Sequence, residues 1–339
     1  MNAATANLRR NAACAIIFAA GALGCGGASA ADPAGTGLAP QVFEVMVQIP
    51  GVQPGLRVAH AKGIVCEGTF TPAKSAAALS KAAHFQAATV PVTIRFSGGA
   101  ADPSIPDYSP DAAPRGMAIR FKLPAGGATD IVAISHNGFI VGTGEDFLAL
   151  QKAVLATNPS QPHPWPIESF IGAHPLALKF VQEAWVVPAS FGTSAFFGNN
   201  AFIFVNKDGV RQPGRYQILP LAGQHDLGDA EAKTRTANFL GEELRTRLAS
   251  GPVEFRLVVQ LPNAGDPTAD GSLVWPNDRK TIEMGTIRIT SVVADSDAAQ
   301  KTLVFFPTSL TDGIEQSDDP LPALRTAVYA LSFARRQQR

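Results

Sequence analysis

Apolar residues that alternate with other residues predict a series of β-strands along the chain. Val90, Val92, Ile94 and Phe96 are each separated by one residue, which is the period of a half-buried strand. Short apolar runs bounded by turn residues predict further strands at residues 117–121, 130–134, 202–205, 253–261, 281–289 and 303–306. Because these strands do not alternate regularly with helices, the pattern favours an antiparallel sheet or barrel.

Apolar residues at helical spacing predict helices between and after these strands. An alanine-rich helix is expected to begin at Thr71-Pro72, with the threonine as its cap and the proline in its first turn, and to end near Ala83. Further helices are predicted at residues 145–155, 167–185 and 231–249. Since no repeat or low-complexity linker divides the chain, we predict one α+β domain over residues 31–339.

A helix near the C-terminus carries the first candidate for chemistry. It is predicted to open at Asp318-Asp319-Pro320, because carboxylates suit the positive end of a helix and proline fits its first turn. Arg325 and Tyr329 stand four residues apart, so their side chains can touch. An arginine beside a tyrosine favours the phenolate, which is a hard ligand for ferric haem. Because this short pattern alone more often marks a packed tyrosine and a solvated arginine, the chain must also supply a haem pocket.

Composition and the N-terminal residues bear on partners and location. With 17% charged residues and a net charge of zero, the chain does not suggest nucleic acid or an anionic membrane as a partner. Arg9-Arg10, an apolar run over residues 12–23 and the small residues at 28–30 predict a cleaved secretory signal over residues 1–30. General secretion, twin-arginine export and lipidation at Cys25 stay open as routes. No long apolar run follows the signal, so no membrane span is expected.

One of the histidines differs from the others because of its neighbours. His60 lies in the sequence R-V-A-H-A-K-G at residues 57–63, which strongly resembles the distal-histidine strand of haem catalases. The sequences R-F-S at 95–97, P-R-G-M-A-I-R-F at 114–121 and G-I-E-Q-S at 313–317 resemble further segments of that family in the same order. The likeness extends from about Arg57 to Arg336. The chain therefore resembles a catalase-related haem peroxidase, from the small periplasmic branch of the haem catalase superfamily.

The resemblance implies a catalase-like antiparallel β-barrel core with added helices, and haem b as the cofactor. Tyr329 would be the proximal ligand of the haem iron, and Arg325 would hold the negative charge of its phenolate. His60 would lie over the opposite haem face and would move a proton between the two oxygens of a peroxide. Ser97 matches the family serine that bonds the other ring nitrogen of that histidine and fixes its tautomer.

Four more residues match haem contacts of the family. Arg57, Arg95 and Arg336 match the arginines that pair with the haem propionates, a role that suits guanidinium geometry. Phe147 matches the aromatic residue that packs on the distal haem face. The implied reaction is the reduction of hydrogen peroxide or an organic hydroperoxide, with electrons from a small external donor. The oligomeric state stays open.

The chain departs from the family pattern beside the distal histidine. Catalases have an asparagine there, whereas counting back from Phe139 puts Ile134 or Ser135 at that place. A one-residue shift in the loop would let Asn137 serve instead, and this alternative stays open. Without the asparagine a second hydrogen peroxide would be poorly held, so we expect weak catalase activity at most. A hydroperoxide isomerase of the allene-oxide-synthase type and a non-catalytic haem-binding protein remain alternative functions.

Overall fold

A computed structural model describes residues 37–86, 88–183 and 185–338 of the chain. The predicted signal peptide over residues 1–30 therefore lies outside the described residues. The α-helices of this part of the chain are α1 (Leu38–Gln48), α2 (Ala76–Leu79), α3 (Ala83–Gln86), α4 (Gly144–Ala156), α5 (Pro166–Ala173), α6 (Pro175–Glu183), α7 (Asp229–Ala232), α8 (Phe239–Ser250), α9 (Ser296–Thr302) and α10 (Leu321–Gln337). None of these described helices is long and apolar enough to cross a bilayer.

The strands of the described residues pair in antiparallel fashion, and eight of them form a closed barrel. They are β1 (Gly63–Pro72), β2 (Val90–Ser97), β3 (Gly116–Lys122), β4 (Ala128–Ile134), β5 (Val187–Pro188), β6 (Phe196–Phe197), β7 (Phe202–Val205), β8 (Arg211–Pro220), β9 (Asp226–Leu227), β10 (Val253–Gln260), β11 (Thr281–Val292) and β12 (Ile314–Gln316). The barrel order is β10–β11–β1–β2–β3–β4–β6–β8, and it closes because β8 also pairs with β10. The predicted α+β fold with an antiparallel barrel is confirmed.

Strand β2 is buried on both faces at its end: one face belongs to the core of the barrel, and the other lies on the outside of the barrel under further elements. Its alternating residues Val90, Val92, Ile94 and Phe96 are at most 3% exposed and belong to the main apolar core. Because neighbouring side chains of a strand point to opposite faces, the residues between them project outwards. Arg95 and Ser97 are on this outer face, yet both are buried. Other elements must therefore cover the outside of the barrel here.

Helices supply that cover in two apolar clusters. In one, residues of α4, α5 and α6 pack with Ile134 at the end of β4. In the other, residues of α1, α4 and α10 pack together, and Val42 and Val328 are among its buried members. The helices hold these positions because each buries an apolar face. The space between them and strands β2, β3 and β4 contains the candidate site.

Three predicted helices differ from the observed ones. The helix expected from Thr71 is wrong at its start, because β1 continues to Pro72 and pairs there with Gly285 of β11. Only the short helices α2 and α3 form within that range. The helix expected over 167–185 is divided at Pro175, which has no backbone N–H for a continuous helix. The helix expected over 231–249 is divided into α7 and α8.

The strand predicted at residues 303–306 is also wrong, because arginine side chains use its backbone oxygens. Leu303 O accepts hydrogen bonds from Arg57 at 2.8 Å and from Arg336 at 3.2 Å. Val304 O accepts one from Arg120 at 2.6 Å. Carbonyl groups that are occupied in this way are less available to a sheet ladder. The segment instead forms part of the candidate site.

Candidate active site

A cavity of about 490 Å³ lies between the outer face of the barrel and the helices that cover it. Strands β2, β3 and β4 line one side, and α1, α4, α5, α6 and α10 contribute to the rest. All of the site residues predicted from the sequence line this one cavity: Arg57, His60, Arg95, Ser97, Phe147, Arg325, Tyr329 and Arg336. The structure thus brings together residues from both ends of the chain.

His60 is held in an uncommon backbone conformation and paired with Ser97. Its φ is +53°, in the left-handed region that residues with a Cβ seldom adopt. Its ring atom Nδ1 lies 3.1 Å from Ser97 Oγ, so the serine fixes the orientation of the ring. Burial, reinforced by the charges of Arg95 and Arg325, lowers the pKa of His60 to about 4. The imidazole is therefore neutral at pH 7 and can accept a proton.

Gly116 makes room for this pair. A Cβ atom at position 116 would lie 2.6 Å from Ser97 Oγ and 3.0 Å from His60 Nδ1. Gly116 pairs with Ser97 on one side and with Ile134 on the other, so the sheet fixes its position. A side chain here would have to displace the histidine or the serine. The glycine is therefore a steric requirement of the site.

Tyr329 is connected to a buried carboxylate through two intermediate side chains. Arg325 Nε donates to Tyr329 Oη at 3.2 Å, and Arg325 Nη1 donates to Asn200 Oδ1 at 2.6 Å. Asn200 Nδ2 in turn donates to Asp319 Oδ2 at 2.8 Å. The other carboxylate oxygen of Asp319 accepts from the backbone N–H of Leu321 at 2.9 Å, at the start of α10. This chain of bonds fixes the guanidinium beside the phenol.

Asn200 is a site residue that the sequence did not predict. It precedes the apolar run of β7 and belongs to no motif that carries chemistry. Both its amide atoms are used, and the residue is 4% exposed. A buried asparagine with both partners satisfied is well ordered. Its role follows only from the fold, which places it next to Arg325.

Three arginines line the cavity without a carboxylate partner among the described residues. Arg57 and Arg336 donate to the backbone oxygen of Leu303, and Arg336 also donates to that of Gln300 at 3.3 Å. Burial and mutual repulsion lower the pKa of Arg57 to about 8 and that of Arg95 to about 9. Arg336 Nε is buried and has no partner within the described residues. This cluster of positive charge suits a ligand that carries carboxylates.

The cavity has an apolar surface where catalases have their asparagine. Ile134, Phe139 and Ile140 line it along this stretch of the chain, and the lining does not include Asn137 among the described residues. The Phe139 and Phe147 rings lie 5.9 Å apart, centroid to centroid. The Ser135 hydroxyl is used inside the protein, where it accepts from the backbone N–H of Arg115 at 2.9 Å. The alternative that Asn137 faces the cavity is thus not what the structure has.

Sequence comparison assigns the chain to a family. The family model described as Catalase matches residues 49–337. The chain belongs to the catalase family. It is 37% identical over 300 residues to a catalase-related peroxidase of Mycolicibacterium paratuberculosis, an alignment that covers 87% of this chain and 94% of the relative. It is 31% identical over 312 residues to a catalase-related peroxidase of Synechococcus elongatus, covering 89% of this chain and 90% of the relative.

Solved catalase structures have the same fold. A bacterial catalase superposes with a TM-score of 0.74 at 21% identity, over 84% of this chain and 58% of its own. A fungal catalase superposes with a TM-score of 0.75 at 19% identity, over 84% of this chain and 60% of its own. This chain therefore spans somewhat more than half the length of these two catalases.

Proposed function

We propose that this protein is a haem-dependent peroxidase of the catalase superfamily. It would reduce hydrogen peroxide or organic hydroperoxides with an external small-molecule electron donor, and have weak catalase activity at most. The observation that carries the proposal is that His60 with Ser97, and Tyr329 with Arg325, line one cavity. The two relatives whose names say catalase-related peroxidase, at 37% and 31% identity, support it.

The residues of the cavity fit haem b. Tyr329 would supply the phenolate ligand of the iron, and Arg325 would stabilise its charge. Arg57, Arg95 and Arg336 would bind the two propionates of the haem, and Phe147 would pack on the porphyrin face. Haem iron would supply the redox chemistry with peroxide that amino-acid side chains lack. The largely apolar lining lowers the local dielectric constant, which would strengthen each of these polar contacts.

His60 would handle the proton of the reaction. Its neutral ring can take a proton from one peroxide oxygen and return it to the other, which then leaves as water or as an alcohol. Ser97 Oγ would hold Nδ1, so the transfer would use the other ring nitrogen, Nε2. The lowered pKa of His60 keeps the ring available as a base at neutral pH.

The apolar surface of the cavity favours peroxide reduction over dismutation. With Ile134 or Ser135 at the family's asparagine position, a second hydrogen peroxide would find no amide to orient it. The lining from α5 and α6 is also apolar, which suits the organic part of a hydroperoxide. Its members on and just after α5 and α6 are Ile167, Ile171, Phe180, Val181 and Trp185.

A periplasmic location is part of the proposal. The basic pair at residues 9–10, the apolar run that follows and the small residues at 28–30 support export by a cleaved signal peptide. Fractionation of the expressing bacterium, together with N-terminal sequencing of the mature protein, tests this part. A mature N-terminus near residue 31 in the periplasmic fraction is the expected result, and an uncleaved cytoplasmic chain would contradict it.

Two substitutions in the haem-loaded protein test the function. His60→Ala should keep the haem absorption band but lose peroxide-dependent oxidation of guaiacol by about a hundredfold or more, because general acid–base catalysis is removed. Tyr329→Phe should shift or abolish the band, because the iron loses its ligand. Mass spectrometry of the product separates the alternatives, since a peroxidase forms an alcohol and an isomerase an epoxide or ketol. Unchanged, low activity in His60→Ala would instead indicate a haem carrier.

A further inference from the structure

The backbone of His60 needs support from its surroundings. Within the described residues it is the one non-glycine residue with a positive φ. A Cβ in this region is crowded by the backbone, so the conformation persists only where neighbouring bonds enforce it. Its N–H donates to Gly99 O at 3.1 Å, and the next N–H, of Ala61, donates to Ala100 O at 3.0 Å. These two bonds hold one side of the turn.

Arg95 holds the other side of the turn. Its Nη2 donates to the backbone oxygens of His60 at 2.8 Å and of Ala61 at 3.3 Å. The guanidinium can come this close because residue 63 is a glycine: a Cβ atom added at this position would collide with Arg95 Nη2. Part of the Arg95 guanidinium therefore bonds to the protein backbone, although Arg95 was predicted only as a propionate ligand. Its rigid fork suits two acceptors at once.

Gln300 fixes Arg95 in this position. Its Oε1 accepts from Arg95 Nε at 2.9 Å, and its Nε2 donates to Gly63 O at 3.0 Å and to Asp297 Oδ1 at 3.2 Å. Gln300 therefore bonds both to the arginine and to the residue at which β1 begins. Gln300 is 8% exposed and lies outside the lining of the cavity.

We propose that Arg95 and Gln300 form a clamp that holds His60 in its left-handed conformation. Gln300 is then a positioning residue for His60, although it does not touch the cavity, and Arg95 has a structural role besides the binding of a propionate. The part of this inference that concerns turnover rests on the proposed function. The part that concerns the backbone of His60 does not depend on the reaction.

A matched pair of glutamine substitutions tests the clamp in the haem-loaded protein. Gln300→Leu removes the glutamine of the clamp and leaves Arg95 without the partner of its Nε. Gln260→Leu removes a different buried amide, which donates to Pro276 O at 2.9 Å and accepts from Gln217 at 3.2 Å. Hydrogen exchange of the peptide over residues 57–63 should become about tenfold faster in Gln300→Leu and stay within about twofold in Gln260→Leu. Equal exchange in both variants would overturn the proposal.

Glycine at position 60 provides a test that is independent of turnover. Because glycine adopts a positive φ without crowding, the clamp should matter less beside it. In a His60→Gly background, Gln300→Leu should accelerate exchange of the same peptide by less than about threefold, whereas in a His60→Ala background the effect should stay near tenfold. An equal acceleration in both backgrounds would show that Gln300 acts on something other than the left-handed turn.

Two further variants keep the outcome decisive. Gln300→Glu retains the oxygen that accepts from Arg95 but loses the donor to Gly63 O and to Asp297, so it should restore only part of the protection lost in Gln300→Leu. Arg95→Lys keeps the charge but loses the fork, and it should reproduce the faster exchange if Gln300→Leu does not fold. In the loaded enzyme, Gln300→Leu should lower the rate of reaction with peroxide about tenfold with haem retained. Faster hydrogen exchange with an unchanged rate of reaction with peroxide would contradict the role of His60 in the proposed function, but it would still support the clamp.

Discussion

Replacing Gly116 by alanine is expected to disable His60 while the fold stays in place. The added Cβ would lie 2.6 Å from Ser97 Oγ, whereas non-bonded heavy atoms rest at about 3.5 Å or more. One of the two side chains must therefore move by about 1 Å, and the bond between Ser97 Oγ and His60 Nδ1, now 3.1 Å, is the contact most directly affected. The sheet pairs on both sides of Gly116 prevent the backbone from absorbing the shift.

The size of the effect follows from this displacement. A misplacement of about 1 Å in a reacting group can lower a rate by roughly a hundredfold. Overpacking of a buried site costs about 1–3 kcal/mol of the free energy of unfolding, which a chain of this size tolerates. We therefore expect Gly116→Ala to bind haem with a normal absorption band and to react with peroxide about a hundredfold more slowly.

Rapid mixing with peroxide, normalised to haem content, measures this rate, and urea unfolding measures the stability. Gly172→Ala is the matched control, because a Cβ at that position in α5 meets no atom within 4 Å. It should leave the rate unchanged. A Gly116→Ala rate within about twofold of the control, at equal haem content, would refute the steric argument or show that the reaction does not need the bond between Ser97 and His60.

Three more predictions concern other parts of the molecule. Asn200→Leu removes an acceptor from Arg325 and a donor to Asp319; since bonds to charged groups are worth about 1.5–3 kcal/mol, haem should dissociate at least tenfold faster, and an unchanged dissociation rate would contradict this. His84 is buried, and burial lowers its pKa to about 3, so below pH ~6.5 the unfolded state binds a proton that the folded state cannot. Because of this group, the free energy of unfolding should decrease by about 1.4 kcal/mol for each unit by which the pH is lowered. Between pH 6.5 and 4.5, His84→Phe should therefore lose about 2–3 kcal/mol less than the unmodified protein in urea titrations. Equal losses in the two proteins would contradict this prediction. Val154→Trp narrows the apolar part of the cavity, so the kcat/KM for cumene hydroperoxide should fall about tenfold while that for hydrogen peroxide changes less. An unchanged kcat/KM for cumene hydroperoxide would place that substrate outside this part of the cavity.

Residues that belong to local motifs could be predicted from the sequence. His60, Ser97 and Tyr329 each lie in a short segment whose neighbours also match the catalase pattern, so each could be placed without knowledge of the fold. The spacing of Arg325 and Tyr329 gave their contact directly, because residues four apart on a helix touch. Strand β2 was predictable because its alternation reflects burial of a single face.

Residues that act through long-range contacts could not be predicted in this way. Gln300 lies 205 positions from Arg95, and Asn200 lies 125 positions from Arg325, so no local spacing connects either pair. The segment at 303–306 has the apolar run of a strand, but arginine side chains use its carbonyl groups. At Thr71 the residues suit the start of a helix, and pairing with β11 overrides that preference.

Arg57, Arg95 and Arg336, which donate only to uncharged oxygens among the described residues, would link the assembly of the protein to the proposed haem cofactor. A fold that encloses several like charges without a counter-ion has less resistance to unfolding than one in which a dianion balances them. Any molecule that binds only the folded chain raises its stability, and here the binding partner would also remove internal repulsion. Porphyrin supply would then govern how long the polypeptide survives proteolysis, so the amount of protein in the cell would follow the amount of haem.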